Sequence, residues 1–82
     1  MPVVLRVKGY RFWFYEADLD EPPHVHVGKE RKEAKYWLTP IALSRSRRFR
    51  DSELNEIERI IAEFRGDLLQ AWERERRKRD NS

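Results

Sequence analysis

The sequence predicts an α+β protein: an antiparallel sheet of three or four strands with a long C-terminal amphipathic helix on one face. Three observations predict it. Alternating apolar residues run on both sides of Lys8-Gly9, a second pair of alternating segments follows at HVHVG and EAKYWL, and from about Ser52 to Arg77 apolar residues fall at helical spacing. A sheet with one apolar face and a helix with one apolar stripe have a common solution, which is to bury each other.

VVLRV and YRFWFY read as a hairpin, because a two-residue loop with Gly9 in second place tolerates a positive φ. That loop pairs Val7 with Tyr10, Leu5 with Phe12, Val4 with Trp13 and Val3 with Phe14. One face then carries Val3, Leu5, Val7, Tyr10, Phe12 and Phe14. The other carries Val4, Arg6, Arg11, Trp13 and Tyr15. EADLDEPP is acidic and ends in prolines, which reads as a loop. HVHVG sends Val25 and Val27 to one side and His24 and His26 to the other. GKERK is a turn, and EAKYWL alternates Ala34, Tyr36 and Leu38 against Glu33, Lys35 and Trp37. Thr39-Pro40 closes that strand, and IALSRS reads as a short strand or an extended linker.

The helix carries Leu54, Ile57, Ile61, Phe64, Leu68 and Trp72 as its stripe, widened by Ile60, Leu69 and Ala71. Asp51 or Ser52 is expected at the N-cap, with Glu53 and Glu56 favourable near the positive end of the dipole. Gly66 is a candidate bend, and Trp72 is expected in the core. The single domain thus divides into a β-rich region over 1–50, a helix over 51–77 and a frayed tail over 78–82. If the helix covers the valine side, the opposite sheet face keeps two tryptophans, a tyrosine, both histidines and several cations in the open, a patch of the kind that marks a binding surface.

Cysteine is absent, which excludes a disulfide framework and thiolate zinc sites. No apolar run approaches the ~20 residues that span a bilayer, and MPVVLRVKGY lacks the pattern of a cleaved leader, so a soluble cytoplasmic protein without membrane partners is expected. The net charge of +3 is unevenly spread. RSRRFR at 45–50 and RERRKR at 74–79 each carry a net +4, so the rest of the chain sums to −5, part of it in EADLDE. Such segregation points to a polyanion or an acidic partner.

The series GYRFWFYEADLDEPPHVHVGK, AKYWLTPIAL and SRRFRDSELNEIERIIAEF…LLQAW resembles a prokaryotic family of small proteins known as domain of unknown function 4160, over residues 1 to about 73. The matching positions are Tyr10, Phe12, Pro22, Pro23, His24, His26, Trp37, Pro40, Phe49, Leu54 and Trp72. Two positions depart: Arg48 stands where glycine is frequent, and Thr39 where an acidic residue is common. The resemblance implies a component of a two-gene operon of the toxin-antitoxin kind, working beside another small protein. It implies no established activity.

Three readings of His24 and His26 stand open. As a metal grip, an H-x-H pair on a strand puts two imidazoles on one face, and Asp18, Asp20 or Glu21 would be the third ligand to a divalent ion. As catalytic residues in ribonuclease-like cleavage, which needs no cofactor, they would move protons while Arg11 and Lys35 hold phosphate. As structural residues they would only hydrogen-bond the acidic loop. Arg45, Arg47, Arg48 and Arg50, next to a helix start, form a phosphate-binding candidate, with a solvated basic loop as the alternative. Trp13, Tyr15 and Trp37 would stack on RNA bases, receive a cognate protein, or join a homodimer. The leading expectation is a toxin-antitoxin-type component acting on RNA or a cognate protein through an open sheet face. A non-enzymatic adaptor and a small metal-binding protein are the alternatives.

Overall fold

The computed structural model describes residues 3–80. The chain runs through β1 (Val3–Val7), β2 (Tyr10–Trp13), a short 3-10 helix (Glu16–Asp20), β3 (His24–Lys29), β4 (Lys32–Leu38), β5 (Ile41–Arg47) and α1 (Asp51–Asp80). The strands form one antiparallel meander in chain order, and α1 packs against it. The α+β class is as expected. The sheet, however, has five strands among the described residues rather than three or four. The difference is IALSRS, which pairs along β4 from Leu38↔Ile41 to Glu33↔Arg47. Its alternation is hidden because β5 is an edge strand with only Ile41 packed on the core.

The first hairpin turns through Lys8 and Gly9, both with positive φ (52° and 85°), the geometry of a type I′ turn. Val7↔Tyr10 and Leu5↔Phe12 pair as expected, but Val3 pairs with Trp13, so Val4 is an extra residue on β1. This bulge sends Val4 rather than Val3 against the core and replaces the expected Val4 to Trp13 and Val3 to Phe14 pairs.

The core is built as the alternation predicts. Tyr10, Phe12, Phe14, Val25, Val27, Ala34, Tyr36 and Leu38 from the sheet meet Ile57, Ile60, Ile61, Leu68 and Trp72 from α1. Two polar ties fix the helix. The Tyr36 hydroxyl donates to the Leu54 carbonyl at 3.1 Å, and Arg65 donates to the Leu38 carbonyl at 2.6 Å and to Thr39 Oγ1 at 2.9 Å.

The start of α1 differs from expectation. The first helical bond runs from the Leu54 N–H to the Arg50 carbonyl, and Glu53 Oε1 accepts the Arg50 N–H at 3.0 Å, so Arg50 takes the cap position and not Asp51 or Ser52. Arg48 just before it has φ +70°, a left-handed conformation that favours glycine. Downstream, α1 runs through Gly66 as one continuous helix and extends to Asp80, past the expected end at 77, so only Asn81 and Ser82 of the expected tail lie outside the described residues. No helix among the described residues is long and apolar enough to cross a membrane.

Candidate functional site

The sheet face turned away from α1 is ordered by register. One row across it reads Arg6, Arg11, Gly28, Glu33 and Arg47, and the next reads Trp13, His26, Lys35 and Arg45. A third pairs His24, Trp37 and Ala42. A bulge in β5 decides the chemistry of these rows. Tyr36 pairs with Leu43 but Lys35 with Arg45, so Ser44 is unpaired and the side chains beyond it switch faces. Without that extra residue Arg45 would lie on the helix side. With it, Arg45 and Arg47 join Lys35 around a groove of about 240 Å³, bordered also by His26 and Glu33.

A second depression of about 310 Å³ lies on the same face, with Arg11, Trp13, Tyr15 and Arg31 in its lining. Gly28 makes it possible. A Cβ on Gly28 would meet the Trp13 ring at 2.8 Å, so the indole lies across the strand only because this position has no side chain. Tyr15 is 45% exposed beside it, edge-on to Trp13.

The histidines are not in the open. His24 is 0% and His26 3% exposed, which overturns the expectation of an accessible imidazole pair. The causes are Trp72 of α1, whose ring lies against His24, and EADLDEPP, expected as a loop. The first five residues of that segment fold as the 3-10 helix, which anchors itself through buried Leu19 and lays Asp18 over β3. The Asp18 Oδ2 atom accepts from the Tyr15 N–H at 3.0 Å and from His26 Nε2–H at 2.7 Å. His24 Nδ1–H donates to the Pro22 carbonyl at 3.0 Å. Each of the three tryptophans contacts one of the two imidazoles: Trp13 stacks on His26, while Trp37 and Trp72 lie against His24 at 5.3 and 5.1 Å.

Burial also sets the protonation of this cluster. It pushes His26 below the ordinary imidazole value, outweighing the bond to Asp18 that works to raise it. For Asp18 burial works upward, but the Tyr15 N–H and the two imidazoles outweigh it and hold the carboxyl below its usual range.

The other expected site residues are dispersed. Lys35 is half-buried, donates to Glu21 Oε1 at 3.1 Å and sits over the Trp37 ring at 4.6 Å, so its ammonium occupies the indole surface expected to stack on a base. Arg11 is exposed opposite Arg6. The run at 45–50 does not act as one unit: Arg45 and Arg47 face the groove, Arg48 makes the turn, and Arg50 caps α1. The anion position expected at the helix start is filled by the chain's own Glu53, which also accepts from Lys32 Nζ at 2.7 Å. At the far end of α1, Arg79 reaches Asp20 at 2.9 Å, so the basic tail answers part of the acidic segment.

Of the three acidic candidates beside the histidines, the structure selects Asp18. Leu19 was the available signal, since the one large apolar side chain in an acidic stretch fixes which way that stretch faces. Gly28 was missed, although a glycine inside a strand marks a close approach.

Helix-backed on one side and cationic and aromatic on the other, this is a small α+β meander protein. The chain matches the family described as domain of unknown function (DUF4160) over residues 9–73 and belongs to that family. No curated protein and no solved structure matches it.

Proposed function

We propose that the protein is an RNA-binding component of a toxin-antitoxin-type pair, and that the sheet face away from α1 receives the phosphates of a single strand. One observation carries this reading: the β5 bulge turns Arg45 and Arg47 onto the face of Lys35, where they border one groove. Neither arginine has an ion-pair partner among the described residues, whereas Lys35 is held by Glu21. Guanidinium groups bind phosphate oxygens in two-pronged fashion, and a cationic groove beside aromatic side chains is the arrangement by which single-strand binders track the backbone. The neighbouring depression with Tyr15 and Arg11 supplies an aromatic surface for a base. The histidines act in this reading as the support beneath the face and transfer no proton to substrate, because His24 has no exposed surface and His26, 3% exposed at the groove edge, has its Nε2 engaged by Asp18.

The test is anisotropy of a labelled single-stranded RNA across a salt series. Binding is expected to weaken with a slope of about −0.7 per phosphate contacted, and the Arg45→Ala/Arg47→Ala double variant to bind at least ~10-fold more weakly with a slope shallower by about 1.4. Unchanged RNA binding in that variant would refute the proposal. A complex with a cognate protein that tolerates salt and is lost in Trp37→Ala would replace it with the adaptor reading.

A further inference from the structure

Three side-chain atoms converge beneath the 3-10 helix with one proton too few. His26 Nε2 and His24 Nε2 lie 2.7 and 3.2 Å from the same oxygen, Asp18 Oδ2. His26 donates its proton to that oxygen. His24 has already donated from Nδ1 to the Pro22 carbonyl, so in the neutral ring Nε2 presents a bare lone pair to a carboxylate. This nitrogen is buried, and no group among the described residues hydrogen-bonds it. The opposite tautomer only moves the conflict to Pro22. A second proton on His24 would place an imidazolium at 0% exposure, with the nearest carboxylate already engaged by His26 and by the Tyr15 N–H.

A divalent cation resolves all three contacts at once. It takes the lone pair of His24, takes that of His26 Nε2 as the ring's single proton shifts to Nδ1, and neutralises Asp18. We propose that Asp18 Oδ2, His24 Nε2 and His26 Nε2 bind one divalent transition-metal ion of the zinc class, which pins the 3-10 helix to β3.

The three ligand atoms lie within 4.8 Å of one another. A tetrahedral ion with bonds of ~2.0–2.1 Å needs its ligands about 3.3 Å apart, which the 3.2 Å pair already meets. The 2.7 Å pair must open by about half an ångström, and the two imidazole nitrogens, within 4.8 Å of each other, must close by up to ~1.5 Å, which requires the two rings to turn as well as the carboxylate. The Nδ1 bond from His24 to a backbone carbonyl is the outer contact that orients a ligating imidazole. Two nitrogen donors and one oxygen favour zinc, cobalt, nickel or iron over magnesium and calcium, which take oxygen. The Asp18 side chain keeps 13% of its exposure, so solvent can supply the fourth ligand.

The ligand His26 also borders the arginine groove, but the ion is held by Asp18 and the two imidazoles and its test does not depend on RNA. Untagged protein is stripped with a chelator and titrated with Zn(II) and with Co(II). The expected results are one ion per chain, quenching of tryptophan fluorescence by Co(II), and a rise of ~10 °C or more in melting temperature with Zn(II) a hundredfold above Kd. Asp18→Asn and His24→Gln should each weaken binding ~100-fold or more, while Arg45→Ala/Arg47→Ala should bind the ion normally. Unmodified protein that shows neither Co(II) quenching nor a Zn(II) shift would overturn the proposal, and that arm stands even if a ligand variant fails to fold. Ion binding that survives Asp18→Asn in a folded variant would overturn it as well.

Discussion

The two faces of the sheet solve burial in opposite ways. Under α1, Phe12, Phe14, Val25, Tyr36 and Leu38 meet a stripe of isoleucines and leucines, and no ionised group has to be enclosed. On the other face a five-residue 3-10 helix and three aromatic side chains cover two imidazoles and a carboxylate, leaving cations around the edge. The first face is held by area, which is worth roughly 25 cal/mol per Å² and needs little geometry. The second is held by a few directed contacts, each of which matters singly. A fold can therefore be secured on one side while the other is free to carry chemistry.

Trp72 belongs to both sides, lying edge-on to Phe14 at 5.2 Å and against His24 at 5.1 Å. Trp72→Ala is the largest expected effect, a loss of ~3–5 kcal/mol in denaturant unfolding. A loss below ~1 kcal/mol would mean that the two faces do not share this anchor.

Gly28→Val tests the outer face alone. Valine is the better strand residue by propensity, yet its Cβ would collide with the Trp13 ring. The expected result is destabilisation by ~1–3 kcal/mol with displacement of Trp13 from His26, visible as a change in tryptophan emission. A stabilised variant would show that the indole does not need the gap.

The smallest effect separates the faces by pH. Tyr10 and Tyr36, both on the helix side, have phenols pushed up to about 12, in each case first by burial and then by nearby carboxylates, Glu56 and Glu53 at Tyr10 and Glu58 at Tyr36. A folded value above the unfolded ~10 means that the native state keeps protons which the unfolded chain releases. The stability they contribute is complete below about pH 10 and is lost as pH rises toward 12. Tyr36→Phe should lower stability at neutral pH by ~1 kcal/mol, through the bond to Leu54, yet flatten the alkaline loss. An alkaline profile identical to that of the parent would remove Tyr36 from this account.

The helix side was almost entirely legible in the sequence. Its signals are local: a 3.6-residue period from Leu54 to Trp72 and a two-residue alternation in β2, β3 and β4, each enforced by a dominant apolar face. The outer face was legible in membership and not in exposure. His24, His26, Trp13, Trp37 and Lys35 fall on the expected side, but two bulges and one loop changed their surroundings. A bulge adds one residue without any compositional mark, so neither the Val4 shift nor the turn of Arg45 and Arg47 toward Lys35 could be read from alternation.

What the sequence by itself determined is sidedness, because periodicity and apolar content act through near neighbours along the chain. Only the tertiary structure decided that Asp18 closes over the histidines, that Glu53 fills the helix start and that the four arginines of 45–50 part company. Those outcomes depend on groups brought together from distant positions, Asp18 to His26, Lys32 to Glu53 and Lys35 to Arg45, whose meeting is fixed by register and by the anchoring of Leu19 rather than by any local preference.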